Sequence, residues 1–204
     1  MTQIKCILFD IGGVLVDWHM SWITSEISKR FNVDEELVIK SFGIHLEKLD
    51  SGKISELDFW KNVGIDTKSD TLFNSTESLW DTYFRKNALP NNSVKQLSLD
   101  LKQKGYDMGI VSNIEKATHE VVEGWHMLDH FDYKFMSYQV GFSKPDSRIY
   151  QYVIEKLPFS SKELLFIDDK ESNIKSAKKC GISSIHFTNQ SNLESTLQTF
   201  GVKM

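Results

Sequence analysis

Two cysteines, Cys6 and Cys180, are all that this chain of 204 residues carries. They lie far apart and in no spacing that would ligate a metal. They read as buried free thiols, not as a disulfide framework or a zinc site. No apolar run approaches the length that crosses a bilayer. The N-terminus lacks the basic segment, long apolar stretch and small-residue cleavage site of a secretory signal. These absences lead to the expectation of a cytoplasmic protein with no membrane partner. Positive charge is in slight deficit: 24 Lys and Arg stand against 28 Asp and Glu, a formal net charge of -4, and nucleic-acid binding usually needs a basic face. A local basic pocket for a small anion is still compatible with that balance. There is no internal repeat or low-complexity tract, and no feature that specifies an oligomeric state.

What is present suits a globular enzyme-sized domain. Hydrophobic residues make up 40% and 13 Phe, 6 Tyr and 5 Trp supply a core, enough for one large domain or one with a modest insertion. Short apolar runs at 4–9, 108–111, 133–137, 164–167 and 184–187 read as buried strands. Between the later ones, 93–104, 115–123, 147–156 and 171–179 carry helical periodicity. Such alternation predicts an α/β fold, a Rossmann-like parallel sheet with helices on both faces. Right-handed crossovers bring the strand C-termini to one edge, where ligands of such sheets bind. Residues 17–88 break the pattern, with helical stretches at 18–31, 34–42, 56–62 and 76–86 and no strand. Turns are expected at 32–34 and at 49–53, the latter containing Asp-Ser-Gly. The expected organisation is a core of residues 1–16 and 89–204 with a helical cap inserted at 17–88.

Four polar clusters follow strands. Phe9-Asp10-Ile11-Gly12-Gly13 puts a carboxylate at a strand end, with two glycines that allow a sharp turn beside it. The plain alternative is an aspartate that merely ends a strand. Asp168-Asp169 pairs two carboxylates that repel unless a cation or proton lies between them, and a hard divalent cation prefers such oxygens. Helix capping is the competing role, although one Asp would suffice. Ser112-Asn113 offers a hydroxyl, an amide and free N–H groups for phosphate oxygens, or simply an N-cap and turn. Lys144, in Gly141-Phe142-Ser143-Lys144-Pro145, would neutralise a carboxylate and a phosphate together, or lie in solvent like most lysines. Four independent turns would not supply Asp, Ser, Lys and Asp-Asp at one edge so consistently.

With these motifs the sequence resembles the haloacid dehalogenase-like hydrolase superfamily across 1–16 and the region from about 90 to 204. The segments at 111–113, 141–145 and 168–173 most resemble a bacterial subgroup containing an alpha-D-glucose-1-phosphate phosphatase. The resemblance implies a hydrolase of small phosphate esters, a sugar phosphate favoured, acting through an aspartyl-phosphate with Mg²⁺. It implies Asp10 as nucleophile, Lys144 as stabilising lysine, and Ser112, Asn113 and Gly13 as phosphate contacts. The metal would take Asp10, the Gly12 backbone, Asp169 and Asp168, with Asp169 favoured for direct contact. Asn173 would orient Lys144 or the acidic pair.

Gly12 departs from the family pattern, which usually has a second Asp there as general acid and base. The named subgroup shares the glycine. Either the leaving group is acidic, as in an anomeric sugar phosphate, or a cap group such as Asp17, His19, His45 or Glu47 supplies the proton. Trp18, Trp22, Trp60 and Trp80 read mostly as cap packing, with Trp18 and His19 as the expected substrate contacts. Two competing functions remain in view. A 2-haloacid dehalogenase shares Asp10 and Lys144 but usually dispenses with metal. A binding protein with a relic site is the reading that Gly12 motivates.

Overall fold

The computed structural model describes residues 3–204. The chain begins with β1 (Cys6–Phe9) and β2 (Val16–Asp17), then five helices: α1 (Met20–Phe31), α2 (Glu35–Asp50), α3 (Glu56–Thr67), α4 (Asp70–Phe73) and α5 (Leu79–Asn87). It continues through β3 (Leu89–Pro90), α6 (Asn92–Gln103), β4 (Asp107–Ser112), α7 (Lys116–Gly124), β5 (Tyr133–Met136) and α8 (Ser137–Val140). The last part comprises α9 (Ser147–Lys156), β6 (Leu164–Asp168), α10 (Glu171–Lys179), β7 (Ser183–His186) and α11 (Leu193–Thr199).

Five strands form one parallel sheet in the order β5-β4-β1-β6-β7. The expected Rossmann-like α/β fold is therefore the one observed. The chain builds outward from β1 in one direction through β4 and β5, then in the other through β6 and β7. That reversal opens a crevice at the C-terminal ends of the central strands. The register is level there, because Phe9 lies opposite both Ile110 and Ile167. Asp10, Ser112 and Asp168 consequently end up side by side.

Alternation along β1 sends Ile7 and Phe9 into one core and Cys6 and Leu8 into another. The first is closed by Val94, Leu97 and Leu101 of α6, Val121 and Val122 of α7, and Leu197 of α11. The second is closed by Ile149 and Val153 of α9 and Ile174 and Ala177 of α10. Both faces are covered, as a parallel sheet requires. A third cluster belongs to α1–α5 and includes Ile23, Ile27, Val38, Phe42, Phe59, Trp60, Leu79 and Trp80. Glu56 ties it together, accepting from Trp60 Nε1 at 2.9 Å, the Trp80 amide at 3.0 Å and Ser78 Oγ at 2.8 Å.

Several boundaries differ from expectation. α2 does not stop at Phe42 but continues through Gly43 to Asp50. One glycine costs only about 1 kcal/mol in a helix, and Leu49 extends the buried face begun by Val38 and Phe42. α3 likewise runs on to Thr67, while α1 starts at Met20 and α5 at Leu79. The short α4, α8 and α11 had no periodic signal. Asp17 belongs to a strand after all, since Val16 and Asp17 pair antiparallel with Leu89 and Pro90 where the chain leaves and rejoins the sheet domain. Cys6 is buried, but Cys180 is only half-buried, because it sits at the C-terminal cap of α10.

Candidate active site

Asp10 follows β1 directly, and its carboxylate is fixed by two donors on one oxygen. The Ile11 amide and Ser112 Oγ both donate to Oδ1 at 2.7 Å. Lys144 Nζ lies 2.9 Å from Oδ2. Lys144 is itself nearly sealed from solvent, 4% exposed, which overturns the solvated alternative. Its ammonium also donates to Asp168 Oδ2 at 2.6 Å and to the Val111 carbonyl at 2.9 Å. Burial works against its charge, yet Asp10 and Asp168 outweigh it and hold Lys144 above its ordinary value. Burial raises the Asp10 carboxyl, with Lys144 and Ser112 pulling the other way.

Asp168 and Asp169 have different surroundings. Asp168 accepts from Lys144, from the Lys170 amide at 2.8 Å, and from Asn173 Nδ2 at 3.0 Å on each oxygen. Burial opposes its ionisation, but Lys144 and these donors lower it overall. Asp169 has a buried Oδ1 with no hydrogen-bond partner among the described residues. Burial and the neighbouring Asp168 both raise it. Oxygens of Asp10, Asp168 and Asp169 lie within 4.8 Å of one another. A hard cation suits such a set, because it would meet the orphaned oxygen and separate like charges.

Two expected phosphate contacts turn out to be engaged elsewhere. The Asn113 side chain clamps the Lys144 backbone, accepting from its amide at 2.7 Å and donating to its carbonyl at 2.8 Å. Gly13 donates its N–H to the Val16 carbonyl at 2.8 Å, so that amide is closed to a phosphate. Its role is spatial: φ is +76°, and a Cβ there would fall 2.5 Å from Asp169 Oδ2. Gly13 makes room for the Asp169 carboxylate. Asn173 Nδ2 donates to both oxygens of Asp168, the carboxylate that accepts from Lys144.

Asp10, Ser112, Asn113, Lys144, Asp169 and Asn173 floor a cavity of about 250 Å³ between the sheet edge and α1–α5. Trp18, Met20, Leu46, Trp80, Phe84 and Ile114 give it an apolar wall. Trp18 and His19 line it, and so does Trp80, which also belongs to the helical core. Of the four suggested proton donors, only His19 lines the cavity. Asp17 points out and pairs with His19 at 3.5 Å. His45 pairs with Asp66 at 3.0 Å and Glu47 with Lys53 at 3.4 Å.

Sequence reasoning missed two acids on the wall. Glu115 caps α7, accepting from the Thr118 amide at 2.8 Å and from its hydroxyl. Burial pushes its carboxyl up to about 8. Asp50, the final residue of α2, was hidden inside an apparent turn. The available signal was an acidic residue at a helix C-terminus, where cations are the ordinary residents.

A profile of haloacid dehalogenase-like hydrolases matches residues 4–181. A sesquiterpene phosphatase of Aspergillus oryzae is 27% identical over 92% of this chain and 91% of its own. A D-ribitol-5-phosphate phosphatase of Bacteroides thetaiotaomicron is 28% identical over 89% of this chain and 91% of its own. Among solved structures, a predicted hydrolase of the same fold family from Porphyromonas gingivalis superposes with TM-score 0.79 at 22% identity, covering 97% of this chain and 98% of the other. A Bacteroides thetaiotaomicron family enzyme solved with magnesium and inorganic phosphate gives TM-score 0.72 at 23% identity, covering 93% and 98%. Likeness at that identity establishes the shared fold.

Proposed function

This chain belongs to the haloacid dehalogenase-like hydrolase family, and we propose that it is a magnesium-dependent phosphatase of small phosphomonoesters with Asp10 as nucleophile. The observation that carries this reading is the orphaned buried oxygen of Asp169 within 4.8 Å of carboxylate oxygens of Asp10 and Asp168. Asp10, the Gly12 carbonyl and Asp169 would hold the ion, with Asp168 behind them as the anchor of Lys144. Magnesium supplies positive charge that offsets the repulsion between the carboxylates and the phosphoryl oxygens.

Asp10 attacks phosphorus in line, the alcohol departs, and water then hydrolyses the aspartyl-phosphate. Ser112 and the Ile11 amide hold the nucleophile's rotamer. Lys144 touches Asp10 and is placed to meet the charge on the transferring group. With its side chain committed to Lys144, Asn113 would reach a phosphoryl oxygen through its backbone. The relatives' names add a family precedent for phosphatase activity on organic phosphates. The cavity admits a leaving group of sugar size, and its aromatic wall offers a stacking face for a sugar's C–H surface. A sugar phosphate is the favoured substrate on that basis. The acidic trio argues against metal-free dehalogenation.

A panel of phosphate esters and 2-haloacids, assayed with Mg²⁺ and with chelator, tests the reading. Phosphate release should require Mg²⁺ and fall at least about 10³-fold in Asp10→Asn. Metal-independent halide release would replace the proposal with dehalogenation.

A further inference from the structure

Gly12 leaves the reaction without a proton donor on the nucleophile's loop, and Trp18 occupies the adjoining space. A Cβ built on Gly12 would lie 3.3 Å from Trp18 Cδ1. For a leaving group that needs a proton, the donor must lie elsewhere in the cavity. Asp50 lines the same cavity as Asp10, Gly12, Lys144 and Asp169. Its side chain has no hydrogen-bond or ion-pair partner among the described residues, and only burial and through-space charge act on it. The other unassigned wall acid, Glu115, is held by Thr118 as a helix cap.

The placement of Asp50 is costly and rigid. It ends the 16-residue helix α2, where the converging carbonyls disfavour an anion. The turn that follows is bonded back on the helix: Ser51 Oγ donates to the Glu47 carbonyl at 2.6 Å and the Gly52 amide to Leu49 at 2.9 Å. Gly52 has φ +68°, and a Cβ there would overlap the Tyr138 carbonyl oxygen at 2.4 Å. The turn is therefore pressed against α8, which holds Asp50 over the sheet edge.

We propose that Asp50 is the general acid and base of the reaction, acting from the helical insertion in place of the side chain that Gly12 lacks. The proposal rests on the phosphatase reading above. In the first step the P–O bond to the alcohol breaks as Asp10 forms its own bond to phosphorus, and protonated Asp50 gives its proton to the departing oxygen. In the second, the Asp50 carboxylate takes a proton from water as the water oxygen bonds phosphorus and the Asp10–phosphorus bond breaks. Both residues are then restored. Burial pushes Asp50 up to about 7, with Lys170 and Lys144 favouring its anion and Asp10 disfavouring it. Glu115 is a further acid close enough to feel Asp50's charge. Near neutrality both forms are populated, which suits a group that must donate and then accept.

Steady-state and rapid-mixing assays of the full chain with Mg²⁺ separate the outcomes. The probes are glycerol phosphate, whose alkoxide needs a proton, and p-nitrophenyl phosphate, whose phenolate does not. In Asp50→Asn, kcat/KM for the alkyl ester should fall by about 10²–10⁴. The nitrophenyl ester should give a stoichiometric burst followed by slow turnover, as phosphoenzyme builds up on Asp10. The wild-type decline of kcat/KM above about pH 7, where the acid loses its proton, should vanish in the variant. Asp50→Glu, which keeps a carboxylate, should recover most alkyl-ester activity and covers the case of an unstable Asn variant. Equal losses on both esters with no burst would overturn the proposal while leaving the phosphatase reading intact. A wild-type protein that releases no phosphate would overturn both.

Discussion

At the scale of single residues, both oxygens of Asp168 accept hydrogen bonds, and one of them meets a buried ammonium at 2.6 Å. Asp169, its neighbour, keeps a buried oxygen without a partner. Opposite consequences follow for stability. Asp168→Ala strands Lys144, whose remaining carboxylate partner is Asp10 at 2.9 Å. Breaking such a buried pair typically costs about 3–5 kcal/mol. Asp169→Asn removes a like charge that the fold tolerates poorly, so the metal-free protein should be at least as stable as wild type. Both variants should lose phosphatase activity. Denaturant melts with EDTA, run beside the activity assay, check the contrast. A destabilised Asp169→Asn would mean that Asp169 is structural. The adjacent acids and their place after a strand were readable from Phe166-Ile167-Asp168-Asp169. Their division of labour was not, because it depends on Lys144 and Asn173 arriving from other elements.

At the scale of elements, legibility followed local signals. α9 and α10 came out with their bounds as expected, because apolar spacing and helix-start residues agree. In α9, Asp146 caps the Arg148 amide and Ile149, Tyr150 and Val153 form the buried stripe. α2 was cut short at residue 42 and its end was taken for a turn on the strength of Asp-Ser-Gly, although packing of Leu49 carries the helix on to Asp50. That error moved Asp50 into a turn and hid it from consideration. The contact that matters, Gly52 against the Tyr138 carbonyl, joins parts of the chain more than 80 residues apart, and no local pattern encodes it. Gly52→Ala tests the contact. A side chain there meets both a left-handed backbone and the 2.4 Å overlap, so the turn must lift from α8. The expected result is a lower kcat and a higher KM together. Leu49 and Ile54 on either side of the turn pack in the helical core and Tyr138 packs against the sheet core, and alanine at a positive φ is itself strained, so the melting temperature should fall as well. Unaltered kinetics would show that the docked turn does not position Asp50.

At the scale of the whole molecule, the fold concentrates like charge where its strands end. The order β5-β4-β1-β6-β7 places β1 and β6 side by side, so Asp10, Asp168 and Asp169 share one edge with Lys144 as the paired cation. The composition, with its net charge of -4, gave no hint of this, since the imbalance is local and topological. The folded state bears the repulsion, whereas the unfolded chain does not hold these carboxylates together. A divalent cation should therefore bind the folded form preferentially and stabilise it. At a concentration about 100 times its dissociation constant, linkage gives about 2.7 kcal/mol. For a chain of this length, roughly 2–4 °C per kcal/mol makes that a rise of about 5–10 °C in melting temperature. Thermal melts with MgCl₂, against KCl at matched ionic strength, measure it without any assumption about substrate. The rise should disappear in Asp169→Asn, which keeps the Lys144 pairs with Asp10 and Asp168 but loses the anionic carboxylate. A shift that survives in that variant, or that KCl reproduces, would detach the metal from this edge and leave the acidic trio without the cation that the phosphatase reading requires.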